Sequence, residues 1–292
     1  MNQVRRKITP FDAFLVALMV LMSCIFIYPL LNMLALSFSN SQELKSSPVY
    51  LWPIGFSLES YKALLSDNRI LLYYWNTIQY AAVGTVIMLL CTSLMAYPLS
   101  IRALRGRRLI SILLTITMFF GGGLIPYYVT IMRLGLIDTF WVMVLPGAIS
   151  AYNVIVFKTF FMSIPEALSE SAFLDGAGHF RVLFQIVLPL SKAVLATFAL
   201  FSIVGYWNDY MTALLYLRDD SKYPIQLLMR RLLVLMDYKD ATTAQLLKDY
   251  RQISSRTTKA AATIITVVPI LCIYPFMQKH FAKGVLVGSV KA

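Results

Sequence analysis

Residues 13–42, 70–101, 109–132, 139–157 and 260–278 contain no Asp, Glu, Lys or Arg, and residues 193–217 contain only Asp209. A helix rises 1.5 Å per residue, so about 20 apolar residues in succession cross the hydrocarbon core of a bilayer. All six stretches reach that length or come close to it. The period-two alternation of a membrane barrel is absent. The chain therefore reads as an all-α membrane protein, a single transmembrane domain over 1–292 with six transmembrane helices. Only 14% of its residues are charged, against about 25% in soluble domains.

The net charge of +12 invites a nucleic-acid reading, but no nucleic-acid-binding motif is present. The basic residues fall in short clusters between apolar runs, as expected of loops beside anionic lipid. Arg5, Arg6 and Lys7 precede the first span. Arg102, Arg105, Arg107 and Arg108 separate spans two and three. Lys158, Arg181 and Lys192 lie between spans four and five, and Lys279, Lys283 and Lys291 follow span six. All four segments fall on one side, so both termini are expected in the cytoplasm. The loop at 218–259 opposes this, because it too is basic, with Arg230 and Arg231 adjacent. The tight Arg102–Arg108 cluster is the stronger signal, so 218–259 is read as an extracytoplasmic loop between spans five and six.

The first run is too long for a signal-peptide core and lacks a small-x-small cleavage site, so an uncleaved span is expected. Cys24, Cys91 and Cys272 all fall inside apolar runs without a CxxC pair, which points to inert packing thiols and no metal site. Two outer segments look helical. One begins at Ser57 as a cap and runs to Leu65; the other spans 223–236, with Leu227, Leu228, Leu232 and Leu235 on one side.

The most informative loop lies between spans four and five. Pro165 suits a helix start and Glu166 its positive end. Gly176 and Gly178 break the helix after residue 175, a second begins near His179, and Leu188-Pro189 leads into span five. The expected product is a rigid helix–turn–helix in which Ala172, Gly176 and Ala177 are small enough for another protein to approach closely. Glu170-Ser-Ala-x-x-Asp175-Gly176-Ala177, followed by Ile186-x-Leu188-Pro189, resembles the EAA loop of bacterial ABC importer permeases. Ser171 stands where alanine is commoner. The resemblance implies a type I ABC importer permease fold in which 165–189 is a cytoplasmic loop and Glu166, Glu170, Ala172, Asp175, Gly176 and Ala177 couple to an ATPase subunit.

Further stretches are similar to the smaller, maltose-permease-like subunit of the carbohydrate branch. They are Tyr28-Pro-Leu-Leu, Asn76-Thr at the opening of span two, Ala96-Tyr-Pro-Leu99 at its close, Trp207-Asn-Asp209, and the tail Lys283–Lys291. Phe120-Gly-Gly-Gly-Leu-Ile-Pro126-Tyr resembles a subgroup that imports oligosaccharides of the alginate or pectin type. The resemblance implies a second permease subunit, two ATPase subunits that bind ATP and magnesium, an extracytoplasmic solute-binding protein and a place in the bacterial cytoplasmic membrane.

No GxxxxGK[ST] occurs, so this chain is not expected to hydrolyse ATP, and no cofactor is indicated. Gly121-Gly122-Gly123 lies within a span and reads as a break or a close helix contact. Polar groups inside spans are costly and point to function. Trp207, Asn208 and Asp209, with Tyr127 in span three and Tyr152 and Asn153 in span four, are therefore candidates for a substrate path. Tyrosine rings suit sugars, which present both apolar faces and hydroxyls. Asp209 also permits an alternative, a proton-coupled secondary transporter.

Overall fold

A computed structural model describes residues 9–41, 43–45, 48–66, 68–237 and 256–289; the side chains of 45, 68, 232–237 and 274–289 lie outside that description. Arg5–Lys7, Leu232, Leu235, most of the 238–259 stretch and the basic side chains after 278 are therefore not placed. In chain order the helices are α1 (Pro10–Ser37), α2 (Glu59–Leu65), α3 (Asn68–Ser100), α4 (Arg107–Phe119), α5 (Leu124–Arg133), α6 (Phe140–Val144) and α7 (Ala151–Phe161). There follow α8 (Glu166–Leu174), α9 (His179–Val182), α10 (Leu188–Leu190), α11 (Lys192–Asn208), α12 (Met211–Tyr216), α13 (Ile225–Asp237) and α14 (Arg256–Ser289). Among the described residues the only β feature is an isolated bridge from Ser39 to Phe56.

Three helices are long and apolar enough to cross a membrane alone: Pro10–Ser37, Arg69–Ser100 and Arg256–Ile273. Three bent helix pairs pass the same test when each is taken together. Arg107–Phe119 and Leu124–Arg133 meet at 114°, Phe140–Gly147 and Ala151–Phe161 at 49°, and His179–Leu190 and Lys192–Asn208 at 81°. The continuous third and fourth spans read from the apolar runs are thus broken helices, whereas the 81° bend lies at Ser191, just before the fifth run. Apolarity reports what faces lipid or core and is blind to where the axis turns. The first break falls on the glycines: Gly123 has φ 82° and ψ 171°, a conformation an L side chain resists.

The chain divides into two compact units, one of residues 1–68 with 231–268 and one of 69–230 with 269–292. In the first, Thr9 and Asp12 form a reciprocal capping box at the start of α1. The outer segment folds back on the end of that helix. Asn32 donates to the carbonyls of Val49 and Tyr50, and Phe38 stacks on Phe56 at 5.6 Å. The hydroxyls of Ser60 and Thr257 bond at 2.9 Å, and Ser41 reaches the same Thr257 hydroxyl, also at 2.9 Å. Helix α2 starts at Glu59 rather than on a Ser57 cap; the Ser57 hydroxyl accepts only from the Glu59 amide, at 3.2 Å.

The core of the second unit joins Met88, Ala96, Tyr97 and Leu99 of α3, Val154, Phe157 and Phe161 of α7, Val182, Leu183 and Val187 near α9, and Val194 and Phe198 of α11. Phe157 meets Phe161 and Phe198 edge-on, at 5.8 and 5.1 Å between ring centres. Between membrane spans such rings contribute by close van der Waals packing and not by leaving water.

At one end of this unit a polar knot holds the segment after α12. Asn76 and Thr77 lie inside α3, not at its opening as the sequence suggests. Asn76 Nδ2 donates to the Ser221 carbonyl at 2.7 Å and the Tyr223 carbonyl at 3.1 Å, and the Thr77 hydroxyl accepts from the Ile225 amide. The Tyr80 hydroxyl donates to the Lys222 carbonyl at 2.7 Å. Asp138, in a left-handed conformation with φ 58°, accepts the amides of Arg218 and Asp219 on one carboxylate oxygen and the Lys222 ammonium, at 3.0 Å, on the other. The start of α13 is consequently buried at Ile225, Leu227 and Leu228, not laid on a surface.

The Arg218 amide, then the Lys222 ammonium and the Asp219 amide, hold the Asp138 carboxyl at about 2, while Asp138 in turn raises Lys222. A depressed folded value means that this contribution is complete above the ordinary carboxylate pKa of 3.8 and is lost as pH falls through about 2. Asp138→Asn keeps an acceptor and tolerates the left-handed backbone, but removes the charge. It is expected to cost about 1 kcal/mol at neutral pH. Thermal melts of the two forms in detergent should converge as the pH is lowered from 4 toward 2.

Candidate functional site

Helix α8 starts after Pro165, with Glu166 in its first turn, and stops at Asp175. The stop is a Schellman motif: the Ala177 amide donates to the Ala172 carbonyl at 2.9 Å, and the Gly176 amide to Phe173 at 3.0 Å. It requires Gly176 at φ 81°. A Cβ there would meet nothing within 4 Å, so the constraint is the backbone angle and not space. Gly178 then precedes α9, which passes through a π turn at Leu183–Val187 into α10. Pro189 lies just beyond; it lacks an N–H and crowds the preceding turn, and the wider π turn relieves that crowding.

The loop is fastened on its inner side. Ala172 and Ala177 pack against the core, so these two small residues face inward and not toward a visiting protein. His179 Nδ1 shares a hydrogen bond with the Tyr97 hydroxyl at 3.3 Å, and its ring meets Phe173 at 4.9 Å. Arg102 pairs with Glu166 at 3.1 Å; both are exposed, so the pair adds little energy but marks the end of α3 and the loop as neighbours. Glu166 and Glu170 line a hollow of about 270 Å³ beside Tyr97 and Arg102. Asp175 and Gly176 are exposed. The outer face carries apolar groups, with Leu174 89% and Phe180 72% exposed. Both stand out on the side of the loop away from the core.

The second feature is a cleft of about 590 Å³ in the same unit, lined by rings of Tyr152, Phe198, Phe201 and Tyr206 and by Asn153, Ser202, Asn208 and Asp209. Tyr206 is wedged between two glycines and donates to the Val144 carbonyl at 3.1 Å. A Cβ on Gly84 would overlap its ring, and one on Gly147 would lie 2.9 Å from its hydroxyl. Helix α11 ends at Asn208, and Asp209 Oδ1 accepts the Thr212 amide at 3.0 Å, capping α12. Asn208 Oδ1 accepts from Gln226 at 3.3 Å, while Asn153 has only the weak sulfur acceptor of Met88.

Of the residues singled out for a path, the structure brings Tyr152, Asn153, Asn208 and Asp209 together in this cleft. It leaves out Trp207, which is 4% exposed and packs on Tyr74, and Tyr127, which follows the glycine break on α5. The phenylalanines, Ser202 and Tyr206 went unmarked because nothing local separates a cleft-facing ring from a core ring. The Tyr97–His179 contact joins residues 82 apart in sequence, so no spacing announces it.

Helices that break where they line a cleft belong to proteins that move solutes, and a docking loop at their edge means that the moving is shared with other subunits. This is the membrane subunit of a transporter. More particularly, the chain belongs to the family of binding-protein-dependent transport system inner membrane components, whose model matches residues 5–287. It is 39% identical over 281 residues to the polygalacturonan/rhamnogalacturonan transport system permease protein YtcP of Bacillus subtilis (strain 168), covering 96% of this chain and 98% of the relative. It is 43% identical over 265 residues to protein LplC of the same organism, covering 91% and 89%. Among solved structures, a chain of a bacterial ABC transporter involved in the import of the acidic polysaccharide alginate superposes with a TM-score of 0.84 at 29% identity, covering 96% of this chain and all of that one.

A Cβ on Gly205, which lines the cleft, meets nothing within 4 Å. Gly205→Leu should therefore fill the cleft without a clash in the fold. Read as a substrate path, the filled cleft should lower uptake in intact cells by roughly tenfold, about 1.4 kcal/mol, while the amount of subunit in the membrane is unchanged. Gly84→Leu, by contrast, should lower that amount.

Proposed function

We propose that this chain is one of two permease subunits of an ATP-binding-cassette importer for oligosaccharides, with acidic chains of the pectin or alginate type as the leading substrates. The observation that carries the reading is the coupling loop. Its inner face is locked to the core through Ala172, Ala177 and His179, and its outer face offers Leu174 and Phe180 to a partner. A loop built this way passes motion on and does not absorb it. The partners are an ATPase pair that binds ATP and magnesium, a second permease subunit that completes the path, and an extracytoplasmic binding protein that delivers the sugar. The end that holds Arg102, Glu166 and the loop faces the cytoplasm, as do both termini, because the tightest run of basic residues lies there.

The path must replace water. An unpaired buried hydroxyl costs roughly 2–7 kcal/mol, and an oligosaccharide carries many. The cleft offers amide, hydroxyl and carboxylate partners beside rings that cover the apolar faces of a sugar. Binding of ATP closes the ATPase pair, the loop moves with it as a lever, and the broken spans rock so that the cleft opens alternately to the two sides. The two states differ by only a few kcal/mol, so that ligands can shift them. The proton-coupled alternative loses its main support, because the Asp209 carboxylate caps α12 and the family depends on a binding protein.

The test is ATP hydrolysis by the assembled transporter in liposomes, with its binding protein and a panel of neutral and uronate oligosaccharides. Stimulation by one sugar class is the expected result; no stimulation by any sugar would sink the proposal. Gly176→Trp forces a side chain into the left-handed region, at about 1–2 kcal/mol, and places bulk on the docking face. It should abolish the stimulation while the subunit stays in the membrane.

A further inference from the structure

The turn between α3 and α4 places cations together with no anion to meet them. Lys158 of α7 donates to the Ser111 hydroxyl at 2.7 Å, and that hydroxyl donates to the Arg107 carbonyl at 2.8 Å. The ammonium and the first residue of α4 are thereby held within one turn, close enough for the Arg107 charge to bear on Lys158. Arg107 Nη1 is buried and has no hydrogen-bond acceptor. Among the described residues, Arg107, Arg108 and Lys158 make no ion pair; of the acids on the neighbouring loop, Glu166 is engaged by Arg102, and Glu170 and Asp175 pair with none of the three. Arg107 and Arg108 also occupy the first turn of a helix, whose positive end disfavours them. A guanidinium donor turned inward without an acceptor carries its full desolvation cost, and swinging onto an anion would relieve it.

Along the membrane from this cluster, α4 buries no residue of its own; Leu113 and Ile116 are exposed among its apolar side chains. Cations at a helix end with an uncovered apolar helix below them match the two halves of one kind of molecule. We propose that Arg107 and Lys158 hold the phosphate of an anionic phospholipid whose acyl chains lie along α4. The charge complementarity selects an acidic headgroup over a zwitterionic one. The bent α4–α5 crossing makes this more than passive solvation: the lipid is anchored to a helix that the 114° break separates from its continuation.

Native mass spectrometry of the assembled transporter, titrated in detergent with phosphatidylglycerol or phosphatidylcholine, tests this without any variant. Phosphatidylglycerol should be retained preferentially. Arg107→Gln and Lys158→Gln should each weaken its retention about fivefold, the worth of one basic residue at an anionic surface, about 1 kcal/mol. Arg107→Lys should keep most of it, and Arg133→Gln, at the far end of α5, should leave it unchanged. Equal retention of the two lipids, as when a partner subunit covers this face, would overturn the proposal. So would retention that ignores Arg107 or falls equally with Arg133→Gln. Displacement of the lipid by millimolar glycerophosphate would show a phosphate site and not a lipid site, and would overturn it as well.

Discussion

A backbone N–H or C=O inside a bilayer has no water to turn to, so every interruption of a membrane helix must be met by another group of the protein. Asp209 takes the Thr212 amide where α11 gives way to α12. In the outer turn that follows, the side-chain amide of Asn76 takes two carbonyls of residues 221–223, Thr77 takes the amide of Ile225, and Tyr80 donates to Lys222. Three of these four side chains stand on a single face of α3, a helix that runs unbroken for 33 residues. The irregular parts of the molecule are thus fixed to its most regular part. Of these groups, Asp209 also lines the cleft.

The same helix serves the other end. Tyr97 lies near its last turn and meets His179, and Arg102 follows just beyond it and meets Glu166. Between the two ends lies the aromatic core built on Phe157, Phe161 and Phe198. Close-packed interiors transmit displacement because they have few voids to absorb it. One ring series, of Phe173, His179 and Tyr97, lies at the loop. Another, of Phe161, Phe157, Phe198 and Tyr152, lies at the cleft, the last pair with centres 6.3 Å apart. The two are joined through the buried cluster that Tyr97 shares with Phe157 and Phe161.

Charge-free runs overlap the three long apolar helices and the three bent pairs, because burial in lipid acts on composition directly. They said nothing about bends, which depend on single residues such as Gly123 and on caps supplied from elsewhere. The loop was legible in detail because its helix, stop and restart are local: Pro165, Gly176 and Gly178 each act on their own backbone. The inward turn of Ala172 and Ala177 was not legible. Small residues permit close approach on either side, and only the position of the core decides which. Asp138 stood with Arg133 between two apolar runs, and its polar neighbours lie some 80 residues further along. Long-range pairs of this kind leave no periodic trace.

The π turn at Leu183–Val187 sets a phase between two segments. A π turn is in effect one residue inserted into an α-helix, and each residue of an α-helix turns the chain by about 100°. Span five and the loop are therefore out of step by about that angle. Removing one residue from this stretch would bring them back into step. The new phase would compete with the ties of His179 to Tyr97 and of Ala177 to the core, and Leu174 and Phe180 could not keep both those ties and their present direction toward a partner.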